Sequence, residues 1–171
     1  MGSAMSIRLA RTADLPALHQ VIERAYRGDS ARAGWTYESD LLDDQRTDLD
    51  QLGAILESPN DRLLIAVSDE DAPIGCVQIT DRGGSLAYLG LLCIDPLLQA
   101  AGLGRGLIDA AEKLAVDTFA AATMEMTVIE QRHELIAYYE RRGYLLTAEK
   151  RAFPVPLDPP FWMVVLVKSL A

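Results

Sequence analysis

Two spacings of apolar residues alternate along the chain. Recurrence every three or four positions, as at Leu15, Leu18, Ile22 and Ala25, predicts helices, whereas short alternating or continuous apolar runs predict strands. Thr12 and Asp14 supply helix-start chemistry before the first helix, and we expect residues 28–34 to end it. The elements predicted in order are strand 7–9, a helix from 15, one or two polar helices in 37–57, strands 63–67, 74–80 and 86–94, helix 102–120, strand 123–129, helix 132–142, and strands 144–151 and 161–167.

The order of these elements predicts how the strands pair. Residues 63–67 and 74–80 flank a turn and indicate an antiparallel hairpin. The strand–helix–strand unit over 86–129 indicates a parallel pair instead. We therefore predict an α/β (α+β) fold with a mixed sheet flanked by helices on both faces. Where the two kinds of pairing meet, two strands can splay apart and hold a ligand.

Length and charge narrow the class of protein. With 171 residues the chain suits one domain, which we place at 6–171, and residues 1–5 resemble an expression remnant. Sixteen basic against 25 acidic residues give a net charge of -9. This balance disfavours nucleic acid and anionic membranes as partners and suits a cationic small molecule or peptide.

Cysteine and histidine are too scarce for several kinds of site. Cys76 and Cys93 both lie in apolar runs, which indicates buried thiols rather than a disulfide framework. With His19 and His133 as the two histidines, we expect no metal site. No apolar run reaches the length of a membrane span, and residues 1–6 do not resemble a signal peptide. A cytoplasmic location is the resulting expectation.

The most informative segment, residues 91–111, reads LLCIDPLLQAAGLGRGLIDAA. A buried strand ends there at Asp95-Pro96, and a helix opens on Gly102, Gly104 and Gly106. Unpaired N–H groups at such a helix start bind anions. A P-loop would need Gly-Lys-Ser/Thr after the glycines, and a dinucleotide fingerprint would need glycine at Leu107. A tight helix start with packing glycines is the third interpretation.

The whole string resembles the GNAT superfamily of acyl-CoA-dependent N-acyltransferases. The family's signature is Gln/Arg-x-x-Gly-x-Gly/Ala after a strand that ends in hydrophobic-x-Pro. Here Ile94-Asp95-Pro96 precedes Gln99-x-x-Gly102-x-Gly104. The predicted element order is also the family's, so the resemblance covers nearly the whole chain. It implies a mixed, partly splayed sheet and acetyl-CoA as cosubstrate.

The resemblance also implies roles for individual residues. The pantetheine arm of the coenzyme would pair with one strand, and its pyrophosphate would lie on the following helix start. A backbone N–H in that strand would stabilise the negative charge on the thioester oxygen. The implied coenzyme contacts are Leu92, Cys93 and Ile94 for the pantetheine, and Gln99, Ala100, Ala101, Gly102, Leu103, Gly104 and Arg105 for the pyrophosphate.

A second matching block lies at residues 137–144, AYYERRGY. It resembles the family's Phe-Tyr-Glu-Lys-x-Gly-Phe, with the tyrosine at Tyr139. The resemblance implies that Tyr139 donates a proton to the leaving thiolate. A phenol of pKa ~10 protonates a thiolate of pKa ~8.5 only with help from the site. The alternative is a core aromatic, since Leu135, Ile136 and Tyr139 share a helical face.

Two positions depart from the family's pattern. Tyr88 stands where relatives often have a catalytic glutamate, so the proton of the amine needs another route, and Tyr88 becomes a candidate acceptor contact. Arg132 stands where relatives often have asparagine. Its guanidinium could bind a phosphate of the coenzyme or a substrate carboxylate, or form a surface salt bridge with Glu130 or Glu134.

Residues 28–50 correspond to the segment that usually walls the acceptor site in this family. Six acids cluster there, at Glu38, Asp40, Asp43, Asp44, Asp48 and Asp50. An acidic wall attracts an amine, although a solvated helix face is the simpler explanation for most of these acids. The candidate acceptor contacts are Trp35, Glu38, Asp40, Arg46 and Tyr88.

The sequence thus predicts an N-acetyltransferase that transfers the acetyl group of acetyl-CoA to a primary amine of a small molecule, amino acid or peptide by direct attack. An acyl-CoA-binding sensor that has lost catalysis is the alternative, motivated by Tyr88. An NAD-binding domain is disfavoured by Leu107. We expect neither nucleic acid nor a membrane as partner, and a homodimer stays open.

Overall fold

Seven strands and four helices make up the residues that the computed structural model describes, 6–32, 48–95, 102–152 and 162–170. A single 3₁₀ turn, Thr12–Asp14, precedes the first helix. The strands are β1 (Ser6–Leu9), β2 (Asp61–Val67), β3 (Pro73–Gly83), β4 (Leu86–Ile94), β5 (Thr123–Ile129), β6 (Leu145–Ala152) and β7 (Trp162–Ser169). The helices are α1 (Leu15–Arg32), α2 (Leu49–Glu57), α3 (Leu103–Phe119) and α4 (His133–Arg141).

All seven strands belong to one mixed sheet in the order β1-β2-β3-β4-β5-β7-β6. The β2–β3 hairpin is antiparallel, β4 pairs with β5 in parallel, and the remaining pairs are antiparallel. The predicted pairing is confirmed. Because α3 connects β4 to β5, it provides the crossover that a parallel pair requires.

The helices cover the two faces of the sheet with separate apolar cores. On one face Leu18, Ile22 and Leu52 of α1 and α2 pack with Ile65 and Cys76. On the other, α3 and α4 pack on a larger cluster from β2–β5 and β7, in which the fully buried residues include Leu107, Ile108, Met124, Tyr144 and Leu166. The predicted arrangement of helices on both faces is confirmed.

The start of α1 is fixed by a charged cap. The carboxylate of Asp14 accepts hydrogen bonds from the Arg11 backbone N–H at 2.7 Å and from the Arg8 guanidinium at 2.8 and 2.9 Å. The hydrogen bond from Arg8 holds the pKa of Asp14 below its usual value, against the opposing effect of burial. Asp14 therefore serves the helix start that the sequence predicts there.

The first helix ends within the segment 28–34, as predicted. It continues through Gly28 and stops at Arg32. A single glycine costs a helix interior only about 1 kcal/mol relative to alanine, so the flanking turns carry it. β3 also extends past its predicted end at Thr80 to Gly83. The predicted expression remnant and the proline-rich link 154–160 lie outside the described residues.

Candidate active site

The central feature of the sheet is a gap between β4 and β5, which we call the split. The two strands pair only over Leu86–Tyr88 and Thr123–Glu125. Beyond these pairs, no strand in the described part of the chain pairs with residues 89–94 of β4 along the edge that faces β5. The backbone N–H and C=O groups on that edge can therefore bind an extended amide chain. The predicted splaying is confirmed.

A β-bulge deforms β4 within the split. Cys76 pairs with Cys93 and Gln78 pairs with Gly90, so two steps along β3 face three along β4. Leu91 absorbs the extra residue in the left-handed region, at φ 50°. Such a conformation is unfavourable for a branched side chain, and bulges re-aim backbone groups next to functional sites. The bulge thus reorients backbone groups of the strand predicted to hold the pantetheine.

The start of α3 follows the end of β4, and its glycines let other groups come close to its backbone. Gly102, the N-cap, has left-handed backbone angles, with φ 73°, and makes no side-chain cap. The first-turn N–H groups thus lack a side-chain acceptor and carry the positive end of a 17-residue helix. A Cβ on Gly104 would lie 2.9 Å from Tyr138 Oη, so a larger residue there would force the Tyr138 side chain of α4 to shift.

Tyr139 reaches the split from α4. Its side chain is 6 % exposed and its ring packs edge-on against Tyr138 and Tyr144, with centroids 5.5 and 6.3 Å away. In the described part of the chain no hydrogen bond holds its hydroxyl. Burial is the main cause that raises the pKa of Tyr139 above its ordinary value, and Cys93 and Tyr88 of β4 raise it further. The phenol therefore lies within electrostatic reach of β4.

Arg132 stands at the N-terminal end of α4, where it acts on the same phenol. Its positive charge lowers the pKa of Tyr139, against the larger effect of burial. Glu130, one predicted salt-bridge partner, forms an ion pair with Lys150 of β6. Arg132 thus lies near the proposed acid, and its role as a coenzyme contact stays a prediction.

The face of the sheet that packs on α1 and α2 carries polar groups at the same point. The hydroxyl oxygens of Tyr88 and Thr127 lie 2.6 Å apart across the two strands. Next to them the buried carboxylate of Glu125 accepts hydrogen bonds from the Arg151 guanidinium at 3.2 and 3.4 Å. Sequence reasoning missed Glu125, Thr127 and Arg151, although the alternation in TMEMTVI could have revealed the first two.

The predicted coenzyme residues fall into two groups. Leu92, Cys93 and Ile94 line the free edge of β4, with the Cys93 side chain buried in the core beneath α1. Gly102, Gly104 and the exposed Arg105 form the start of α3, and Leu103 is buried in the core there. The remaining predicted coenzyme contacts, Gln99, Ala100 and Ala101, lie outside the described residues.

The predicted acceptor wall lies mostly outside the described residues, which excludes Trp35, Glu38, Asp40 and Arg46 from structural comparison. Two of its acids are described. Asp48 caps α2, because its side chain accepts a hydrogen bond from the Gln51 backbone N–H at 2.8 Å. Asp50 lies exposed in the first turn of α2. These two acids serve a helix start.

The described ranges hold neither a cluster of metal ligands nor an apolar helix long enough to span a membrane. Within them, no three His, Cys, Asp or Glu side chains lie together as metal ligands would. None of the helices described is both long and apolar enough to cross a bilayer.

Comparison with known proteins places this geometry in a family. Residues 16–144 match the model of the acetyltransferase (GNAT) family. The peptidyl-lysine N-acetyltransferase YjaB of Salmonella typhimurium is 27% identical over 131 residues, which cover 72% of this chain and 81% of YjaB.

Solved structures share the fold. The ribosomal-protein-S18-alanine N-acetyltransferase of Escherichia coli superposes with a TM-score of 0.74 at 17% identity, covering 98% of this chain and 95% of that one. YncA of Salmonella typhimurium, solved with its cofactor acetyl-CoA, gives 0.72 at 19% identity with the same coverage. The matched domain model, the split sheet and the glycine-rich start of α3 agree, and the chain belongs to the acetyltransferase (GNAT) family.

Proposed function

We propose that this protein transfers the acetyl group of acetyl-CoA to a primary amine by direct attack of the amine. The observation that carries the proposal is the split, bordered by the free edge of β4, the uncapped start of α3 and the hydroxyl of Tyr139. These three features offer a binding edge for amides, a site for an anion and a proton donor in one place.

The residues present fit the coenzyme. The edge of β4 at Leu92–Ile94 can pair with the amides of the pantetheine arm as an added strand would. The N–H groups of Gly102, Leu103, Gly104 and Arg105 suit the pyrophosphate, and we expect residues 99–101 to extend that contact. When bound, acetyl-CoA supplies the acetyl group as an activated thioester.

The bulge and Tyr139 divide the chemistry between them. A backbone N–H at the bulge around Leu91 donates a hydrogen bond to the thioester oxygen as charge develops there. The neutral amine attacks the carbonyl carbon, an N–C bond forms and the C–S bond breaks. The hydroxyl of Tyr139 donates its proton to the leaving sulphur and is reprotonated from solvent. Burial raises the pKa of Tyr139 and opposes this transfer, whereas the positive charge of Arg132 lowers that pKa and assists it.

The acceptor is a primary amine on a small molecule or a peptide. YjaB acts, by its name, on peptidyl-lysine, and a structural neighbour from Vibrio cholerae is a spermidine/spermine N-acetyltransferase. The net charge of -9 supports a cationic acceptor here. A test panel should therefore contain lysine peptides, spermidine and free amino acids.

Two measurements test the proposal. Calorimetry should detect binding of acetyl-CoA and of coenzyme A, and no binding of NAD at the same concentration. The amine panel, followed by release of free thiol, should then identify an acceptor. An absence of acetyl-CoA binding contradicts the proposal outright.

The second candidate function is an acyl-CoA sensor, favoured by the absence of a carboxylate at Tyr88. A sensor binds the coenzyme with unchanged stoichiometry and releases no thiol with any amine. The same panel therefore separates an enzyme from a sensor.

A further inference from the structure

The split has a polar side as well as an apolar side. Ala87 and Leu89 belong to the core under α3 and α4, which places Tyr88 on the opposite face. Met124, Met126 and Val128 belong to that same core, so Glu125 and Thr127 face the side of α1 and α2 with Tyr88. None of these three side chains belongs to the family signature or to the predicted coenzyme contacts, and only Tyr88 is a predicted acceptor contact.

Two hydroxyls join β4 and β5 at the point where their ladder ends. Tyr88 and Glu125 form its last pair, and Tyr88 Oη lies 2.6 Å from Thr127 Oγ1, just beyond that pair. We call Tyr88 and Thr127 the hydroxyl pair. Both residues are half-buried. The Arg82 guanidinium packs over the Tyr88 ring at 4.6 Å and fixes its orientation.

The hydroxyl pair and Tyr139 approach the split from opposite faces of the sheet. Tyr139 belongs to α4, yet Tyr88 is close enough to raise the pKa of its phenol. Acyl transfer needs a proton removed from the attacking nitrogen and another supplied to the leaving sulphur. Hydroxyls on two sides of one gap supply both functions without competing for one position.

A buried carboxylate lies beside the hydroxyl pair. Glu125 is 7 % exposed, and the Arg151 guanidinium binds it through two hydrogen bonds and binds Glu149 through a third, at 2.7 Å. With Arg82 over the Tyr88 ring, two guanidiniums accompany these two carboxylates, so the charges around the hydroxyl pair balance. An amine nitrogen that becomes positive as it attacks is not stabilised by excess negative charge here, so it has to release its proton.

We propose that the acceptor nitrogen binds the hydroxyl pair and loses its proton through it. This inference rests on the proposed function and adds Thr127 and the proton route to it. As the N–C bond forms, the nitrogen becomes acidic and gives its proton to one oxygen of the hydroxyl pair. That oxygen passes its own proton through the second hydroxyl to solvent, and Tyr139 protonates the sulphur. No carboxylate has to touch the amine.

Isosteric variants test the proposal. Y88F and T127V each remove one hydroxyl and keep the shape of the side chain, and the double variant removes both. T147V is the matched control, because Thr147 Oγ1 of β6 donates to the Val165 carbonyl of β7 at 2.9 Å, and β7 separates it from β5. Turnover is measured with the best amine of the panel. Acceptor affinity is measured by calorimetry on protein saturated with coenzyme A, with spermidine and with N-α-acetyl-lysine methylamide.

Each single variant should lower kcat by about 10- to 100-fold and weaken acceptor binding about threefold or more. The double variant should be no slower than the slower single variant, because the two hydroxyls act as a unit. Binding of acetyl-CoA should not change in any variant, and T147V should match the wild type in every measurement.

Two results overturn the inference: single variants that keep the turnover and the acceptor affinity of the wild type, or losses that simply add in the double variant. A wild-type protein that acetylates no amine contradicts the proposed function instead. In that case the affinities on the coenzyme A complex still decide whether the hydroxyl pair binds the amine.

Discussion

Two buried tyrosines near the end of α4 lie in different surroundings. The rings of Tyr139 and Tyr144 contact each other edge-on at 6.3 Å, and burial raises the pKa of both above the ordinary value. The hydroxyl of Tyr144 donates to Glu112 at 2.9 Å, whereas no group in the described ranges holds that of Tyr139. The Tyr139 oxygen is not among the described polar atoms that are buried without a hydrogen bond, so it has access to solvent. The split supplies it for Tyr139.

The surroundings of Tyr144 form a closed network, which we call the Glu112 cluster: Glu112, Tyr144 and Lys168. The Lys168 ammonium donates to both oxygens of Glu112, at 2.9 and 3.1 Å, and to the Arg142 carbonyl at 2.9 Å. It thereby joins α3, the end of α4 and β7. Every group in this cluster has a partner, which is the pattern of a structural site. The split has free backbone edges and a free hydroxyl, which is the pattern of a binding site.

The largest expected effect that separates the two regions is on catalysis. Y139F should lower kcat by about 10²- to 10⁴-fold, because it removes the proton donor to the leaving sulphur. Acetyl-CoA affinity, measured by calorimetry, should stay unchanged. Y144F is the control, since it removes the hydroxyl of a neighbouring buried tyrosine that donates to Glu112. Equal rates in both variants contradict the role of Tyr139 as the acid.

The next effect is on stability. E112Q should lower the free energy of unfolding by about 2 kcal/mol, because it leaves the half-buried Lys168 ammonium without its anion. Urea unfolding monitored by circular dichroism measures this. D117N on the same helix removes an exposed ion pair with Lys113 and should cost less than about 0.5 kcal/mol. The assignment of a structural role to the Glu112 cluster is wrong if E112Q is no less stable than D117N.

Alkaline pH should reveal what the two tyrosines share. A raised pKa in the folded state means that the unfolded tyrosine ionises first, so its contribution is complete below its unfolded pKa of about 10 and is lost as pH rises above it. Each tyrosine should then remove about 1.4 kcal/mol of stability per pH unit. Urea unfolding of the wild type, Y139F and Y144F should be measured from about pH 8 to about pH 11, a range that brackets the unfolded pKa of about 10. If a variant loses stability at alkaline pH as steeply as the wild type, the tyrosine that it lacks ionises with an ordinary pKa in the folded protein.

The smallest effect concerns the hydroxyl of Tyr144 alone. Y144F should lower stability by about 1 kcal/mol, the net contribution of one hydrogen bond, because Lys168 still satisfies Glu112. Turnover per folded molecule should remain that of the wild type. A loss of turnover without a loss of stability would transfer a functional role to Tyr144.

Much of the fold follows from local pattern. The helix and strand periods, the hairpin and the crossover predicted the mixed sheet, and residues 94–104 with 137–144 predicted the family. Which residue of the segment 28–34 ends α1 escaped prediction, because glycine is only mildly unfavourable in a helix and Gly28 does not stop it. The sequence did not predict a role for Thr127 and Glu125, because the pattern of a short strand does not show which strand lies beside its polar side chains.

The sequence by itself determined the secondary structure, the family and the chemical types at the site, since these depend on residues close together in the chain. The tertiary structure alone decided which of two similar tyrosines has a free hydroxyl. Glu112 and Lys168 lie 56 residues apart, and Tyr88 and Thr127 lie 39 apart. Contacts over such separations arise only from packing, because chain spacing does not encode which elements become neighbours.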